Sequence, residues 1–194
     1  MCGICGIFNP SGLDDDDRLS ISPMTAVVAH RGPDDTGTRL ENDIALGHTR
    51  MSIVDVAGGS QPMRNEDGTV WTVFNGEIYN FLSLRDELQK KGHNFETRAD
   101  TEVLLHGYEE YGEELVPKLD GMFAFAIWDD RRKRLLLARD RVGKKPLFYR
   151  LDRGQLTFAS ELKSLLLVPG APRQLNRRAI DSYLCYQYVP HPDC

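Results

Sequence analysis

The chain opens MCGICGIFNP, with a cysteine directly behind the initiator methionine and a glycine after it. Cysteine is normally buried or redox-active, so a chain end is an unusual place for it. Removal of Met1, which a small following side chain permits, would leave Cys2 with both a thiol and a free α-amine. A free α-amine has a reference pKa of about 7.7–8.0 and a free thiol one of about 8.5. One residue can then act as nucleophile and base together, as terminal threonines do. Gly3 would let the backbone run close to a substrate with no Cβ in the way. The competing reading is that Cys2 is a bystander, since any protein can carry cysteine there.

Acyl transfer also needs donors for a developing oxyanion. In FNGEIYN (74–80) a strand end delivers Asn75 and Gly76 into a turn, where the Asn75 amide and the Gly76 N–H could converge on one oxygen. A plain Asn-Gly hairpin turn is the alternative, although the residues that follow read as a helix start. In HTRMSIVD (48–55), Arg50 stands at the end of a predicted strand and offers a planar fork for a carboxylate. In RADTE (98–102), Asp100 stands before a helix, where it either caps the first turn or binds an ammonium group. HRGPDDTG (30–37) is a Gly-Pro loop able to cover a pocket, or simply a turn.

These residues need a scaffold, and 194 residues with 41% hydrophobic content supply one globular domain, or one and the start of another. Residues 2–8 alternate as a strand, and strands are also predicted over 44–51 and 70–75. Phe81, Leu84 and Leu88 make a helical stripe ending before Gly92; Leu104, Tyr108, Tyr111 and Leu115 make a second, closing near Pro117. GMFAFAIW (121–128) is apolar on both faces, which predicts a strand covered on both sides. DDRRKR turns it into LLLAR (135–139), and LFYRL (147–151) with QLTFAS (155–160) repeats the hairpin pattern. Glu161–Val168 reads as a helix, and Asp14–Asp17 as a solvated loop lacking the spaced ligands of a calcium site. Antiparallel hairpins with helices in separate blocks predict an α+β fold of stacked sheets. Pro169, Gly170 and Pro172 mark a boundary, giving one domain over 1–170 and, over 171–194, a linker with the first helix of another.

Composition excludes several classes. A net charge of −5 without a basic stripe argues against nucleic acid. No apolar run reaches membrane-span length, and no secretory signal is evident, so the expected compartment is the cytoplasm. Cys2 and Cys5 resemble half a zinc or redox motif. Residues three apart on a strand diverge, however, and Cys185 and Cys194 are nine apart, so no metal or disulfide is expected. Cys5 is then a small buried hydrophobe.

Taken together, MCGICGI, HRGPDDTG, GHTRMSIVD, GSQPM, FNGEIYN, ADTE, LDGMFAFAIWD, LLARDRVGKKPLFY and FASELKSLL resemble, over nearly the whole chain, the glutaminase domain of class II glutamine amidotransferases. The branch they fit is that of glutamine-dependent asparagine synthetases. The resemblance implies an N-terminal-nucleophile hydrolase fold, a four-layer αββα sandwich. It implies that Cys2 attacks the side-chain amide of glutamine while its α-amine shuttles the proton, and that Asn75 and the Gly76 N–H stabilise the intermediate. Arg50 would grip the α-carboxylate, Asp100 with Glu77 would receive the α-ammonium, and the backbone of Ile53 and Val54 would touch glutamine. Water would then hydrolyse the γ-glutamyl thioester to glutamate and ammonia, with no cofactor. In such enzymes ammonia passes to a C-terminal synthetase domain in cis, where ATP and magnesium activate aspartate; an SGG-type pyrophosphate loop is missing from this chain. A homodimer is possible, and neither nucleic acid nor membrane is an expected partner. Three alternatives remain at this level: a related domain serving another ammonia acceptor, a stand-alone amide hydrolase, and a catalytically silent regulatory domain.

Overall fold

The computed structural model describes residues 1–52 and 58–191. In chain order its regular elements are β1 (Gly3–Phe8), α1 (Asp15–Ala26), β2 (Asp35–Leu40), β3 (Ile44–Arg50), β4 (Met63–Arg64), β5 (Val70–Ile78), α2 (Phe81–Lys90), α3 (Thr101–Tyr111), α4 (Leu115–Lys118), β6 (Gly121–Asp129), β7 (Arg134–Arg139), β8 (Phe148–Asp152), β9 (Gln155–Ala159), α5 (Leu162–Leu165) and α6 (Arg177–Tyr186). The strands form a five-stranded sheet, β2-β3-β1-β9-β8, and a four-stranded sheet, β4-β5-β6-β7. Every strand pair in them is antiparallel.

Three apolar clusters stack these parts into four layers. Ile21 and Met24 of α1 and Leu165 of α5 bury Cys5 and Ile7 on the outer face of the first sheet. Ile4, Ile44, Leu46 and Phe158 of that sheet meet Val73, Ala124, Ala126 and Trp128 of the second. On the far side, Leu84, Leu88, Leu104, Tyr108 and Leu115 cover Phe74, Phe123, Phe125 and Ile127. The two apolar faces of GMFAFAIW are thus each used: phenylalanines and Ile127 against helices, the small alanines and Trp128 against the other sheet. Burying each such phenylalanine contributes about 1.5–3 kcal/mol. The result is an αββα sandwich.

Several expectations are corrected. Asp14–Asp17 is no loop: Asp14 caps α1, accepting from Asp17 N–H at 2.8 Å, and Asp17 returns the bond to form a capping box. The polar, Pro23-containing stretch that follows hides its helix because only Ile21 and Met24 of its side chains join the core cluster. The second half of HRGPDDTG is not loop but the edge strand β2. Asn75-Gly76 makes no turn either; β5 runs straight through it to Ile78. The second helix stops at Tyr111, where Gly112 takes φ +59°, and Pro117 falls inside the separate short α4. Cys5 lies buried with Sγ 3.4 Å from Thr25 Oγ1, and burial pushes its thiol up to about 11, an unreactive value. Among the described residues no helix is long and apolar enough to cross a membrane. In α6 no residue is buried.

Candidate active site

A pocket opens where β1, β3 and β5 run out at one edge of the sandwich. It is lined by Cys2, Arg50, Asn75, Gly76, Glu77 and Asp100, so six of the sequence-predicted positions, drawn from four segments of the chain, converge on it. The other two, Ile53 and Val54, lie outside the described residues.

Strand alternation explains the convergence. In β1, Ile4 points into the layer between the sheets, so Cys2, two residues earlier, continues that face. In β5, Val73 points into the same layer from the opposite sheet, and Asn75 follows it. The terminal thiol and the Asn75 amide therefore approach the pocket from facing sheets. Asn75 is only 1% exposed, yet among the described residues its Nδ2 has no hydrogen-bond partner. A buried donor left unmade costs about 1–3 kcal/mol, and this one lies in a residue that lines the pocket.

The Gly76 N–H reaches the pocket for a different reason. Its cross-strand neighbour is Phe123, whose N–H and C=O are both bonded to Asp140, on the opposite side of β6. Gly76 is thus in a non-hydrogen-bonded pair, and its N–H points away from β6. Phe74 and Ile78 share that orientation: the Phe74 N–H donates to Gln61 Oε1 at 2.7 Å and the Ile78 N–H to Asp100 Oδ2 at 3.0 Å. Gly76 stands between these two anchors, facing the pocket. A Cβ on it would lie 2.3 Å from Met122 O and 2.8 Å from Phe123 Cα, so only glycine lets β5 and β6 approach so closely there.

Asp100 does not cap α3 with its side chain; it holds the end of β5 instead. Burial pushes its carboxyl up against the N–H groups that hold it down, and the Glu77 charge adds to the rise. An arriving cation would reverse that penalty. Arg50 is buried, and the backbone of the 32–34 loop wraps it, with Asp34 N–H donating to Arg50 O at 3.0 Å.

Cys2 is held by the Met51 backbone and the Arg31 side chain. Its Sγ accepts from Met51 N–H at 3.4 Å, and its carbonyl accepts from Arg31 Nε at 2.9 Å. Arg31 in turn pairs with Glu161 at 2.9 Å. Burial raises the Glu161 carboxyl, but hydrogen bonds from Arg31, Lys163 and His30 outweigh it and hold the group near about 2. Met1 also lines the pocket, and its amine lies 2.8 Å from Met51 Sδ; with Met1 in place, the Cys2 nitrogen is an amide. Gly3 is corrected here. Its missing Cβ makes room for Thr49 Oγ1 (2.7 Å) and Val28 (3.0 Å), and it does not line the pocket.

Sequence reasoning missed the supports. Gln61 links the two walls, accepting from Phe74 and donating from Nε2 to Thr101 Oγ1 at 3.3 Å. His48 joins the sheets through a 3.1 Å bond between Nε2 and Phe74 O, and burial drives its pKa down to about 4, so it is neutral and donates. Lys145, buried in the pocket wall, is delivered by a turn whose N–H groups at 142, 144 and 145 close on the Asp140 carboxylate. GSQPM and ARDRVGKKPL carried these residues as motif letters, with no periodicity to say where they point.

Residues 1–194 match the family model of the glutamine amidotransferase domain. The chain belongs to that family. This amidotransferase domain is 44% identical over 194 residues to glutamine-hydrolysing asparagine synthetase 1 of Bacillus subtilis (strain 168), an alignment covering 99% of the chain and 30% of the relative. It is 45% identical over 167 residues to asparagine synthetase 3 of Arabidopsis thaliana, covering 85% of the chain and 28% of the relative. The chain therefore spans about 30% of the length of the curated relatives it matches. Its fold is that of the glutamine phosphoribosylpyrophosphate amidotransferase of B. subtilis, at a TM-score of 0.71 and 21% identity over 86% of this chain and 43% of that one. The amidotransferase domain thus has the N-terminal-nucleophile hydrolase fold.

Proposed function

We propose that this domain hydrolyses glutamine to glutamate and ammonia, and that within a longer protein the ammonia serves asparagine synthesis. The observation that carries the proposal is the partnerless, buried Asn75 amide in the same pocket as Cys2, Arg50 and Asp100. Once Met1 is removed, the Cys2 α-amine takes the thiol proton and Sγ attacks the side-chain carbonyl carbon of glutamine. Asn75 Nδ2 and the Gly76 N–H donate to the resulting oxyanion. As the intermediate collapses, the α-ammonium returns its proton to the leaving nitrogen, releasing ammonia and a thioester. Water, deprotonated by the same amine, then cleaves the thioester to glutamate.

Arg50 binds the substrate α-carboxylate and the Asp100–Glu77 pair its α-ammonium, so amides lacking the amino-acid head should be rejected. This separates the reading from a general amide hydrolase. Arg50→Lys keeps the charge but loses the two-pronged fork. KM for glutamine should rise about tenfold with kcat nearly unchanged; an unchanged KM removes Arg50 from substrate binding. A glutamine-shaped electrophile should label the protein once, on Cys2, in a chain that mass spectrometry finds lacking Met1. A protein that keeps Met1 and takes no label is a silent domain, and the proposal fails.

Residues 171 onward, including the unburied α6, are assigned to the start of a synthetase domain. ATP, magnesium and aspartate belong to that domain, and none of the residues described here is assigned to them.

A further inference from the structure

Outside the residues that line the Cys2 pocket, the loop after α2 and the second half of α3 bring two imidazoles and a carboxylate together. One candidate ligand atom from each of His93, His106 and Glu109 lies within 4.8 Å of the other two. Glu109 Oε2 stands 3.1 Å from His106 Nδ1 and 3.6 Å from His93 Nδ1. Donors bound at 2.0–2.1 Å around a tetrahedral zinc stand about 3.3 Å apart, a value that those two separations bracket. We propose that His93 Nδ1, His106 Nδ1 and Glu109 Oε2 bind a divalent ion of the zinc class. Glu66, whose Oε1 is 4.0 Å from His106 Nδ1, is placed to supply the fourth ligand.

The atoms behind the ligands match what such a centre requires. A metal-bound histidine turns its other nitrogen toward a carboxylate, which fixes the ring and raises its basicity. His106 Nε2 faces Glu102 Oε1 at 3.7 Å, and His93 Nε2 faces Glu110 Oε2 at 3.5 Å. The far oxygen of Glu109 accepts from Asn65 Nδ2 at 2.6 Å, leaving Oε2 for the centre. An ordinary ion pair would account for one histidine on one carboxylate. Here each ring stands between two carboxylates, and both present Nδ1 to the same Glu109 oxygen. Four carboxylates (Glu66, Glu102, Glu109, Glu110) surround the cluster, against Arg85 paired to Glu102 and Lys91 paired to Glu110, so the field favours a cation. A polar cleft lined by Arg64, Asn65, Glu66, Glu96, Glu102 and His106 opens onto the His106 side of the cluster.

The ion would tie the β4–β5 turn and the α2–α3 loop to α3, the helix that opens with the pocket residue Thr101 and follows Asp100. The sequence reading expected no metal on the spacing of the cysteines alone and did not consider these three residues, which the fold brings together. The test is a titration of the chelator-treated full chain with cobalt(II), followed by visible absorption, then displacement by zinc(II). A saturable band of four-coordinate cobalt at one equivalent is expected, bleached by zinc. It should survive in Cys2→Ala, vanish in His93→Ala and need at least tenfold more metal in Glu109→Gln. His93 and Glu109 carry the test because the buried His106 is also part of the fold; zinc should raise the Tm of the parent and of Cys2→Ala but not of His93→Ala. No saturable band, a band that persists in His93→Ala, or one lost in Cys2→Ala overturns the proposal.

Discussion

Replacing Cys2 by alanine is expected to reduce glutamine hydrolysis to background, a drop on the order of 10⁶-fold for losing a nucleophile, while leaving the fold intact. The second half of that expectation follows from the contacts. Cys2 sits half-buried in the pocket lining, and among the described residues its thiol takes only long bonds to the Met51 backbone, 3.4 and 3.8 Å. The strand itself is held by pairing to β3 and β9 and by Arg31 on the Cys2 carbonyl, none of which needs sulfur. The companion experiment keeps the sulfur and removes the base. A protein cleaved so that it begins at Cys2 is compared with one that carries a single extra residue ahead of it. The extra residue turns the α-amine into an amide, which has no basicity near neutral pH, so hydrolysis should fall nearly as far as in Cys2→Ala. Brisk turnover by the extended protein would falsify the account of the chain end as its own base.

Asn75→Ala should lower kcat by roughly 10²–10³, the effect of deleting one oxyanion donor, with little change in KM. Its stability should stay level or rise. The Asn75 Nδ2 is buried without a partner, so the native protein carries the desolvation penalty of that donor and the variant does not. A loss of activity with a gain in Tm is the signature of a group held in a strained electrostatic state for catalysis. A structural asparagine would show the reverse: lost stability and a rate close to normal. The Gly76 N–H remains in the variant, which is why activity should persist above that of Cys2→Ala.

The candidate chemistry was more legible in the sequence than the path of the chain. Cys2, Arg50, Asn75, Gly76 and Asp100 are picked out by residue type and setting and Glu77 by the family resemblance, and all six line one pocket. The apolar alternation of 121–128 foretold a central strand because burial on both faces leaves a pattern of period two. Where side chains are polar or serve the backbone, the pattern disappears. The capped α1 has only Ile21 and Met24 in its core cluster, so its aspartates read as loop. Asn75-Gly76 read as a turn because that dipeptide favours turns, yet pairing to Met122–Ala124 keeps β5 extended through it. Asp100, before α3, left a helix cap and an ammonium site both open; its carboxylate makes no cap and instead accepts from the Ile78 N–H.

The amino-acid sequence by itself determined which groups are available: a sulfur beside the chain start, an amide and a glycine in tandem, a guanidinium and two carboxylates, and the alternations that build two sheets. The tertiary structure alone decided which of them meet. Facing sheets turn Cys2 and Asn75 toward one edge, non-hydrogen-bonded pairing with Phe123 frees the Gly76 N–H, and Gln61 and His48 fix β5 against α3 and β3. The physical reason is that side-chain type is a local property, whereas the direction of a backbone N–H and the partner of a buried donor depend on strands distant in sequence. The same reason places His93, His106 and Glu109 around one point that no spacing in the chain announces.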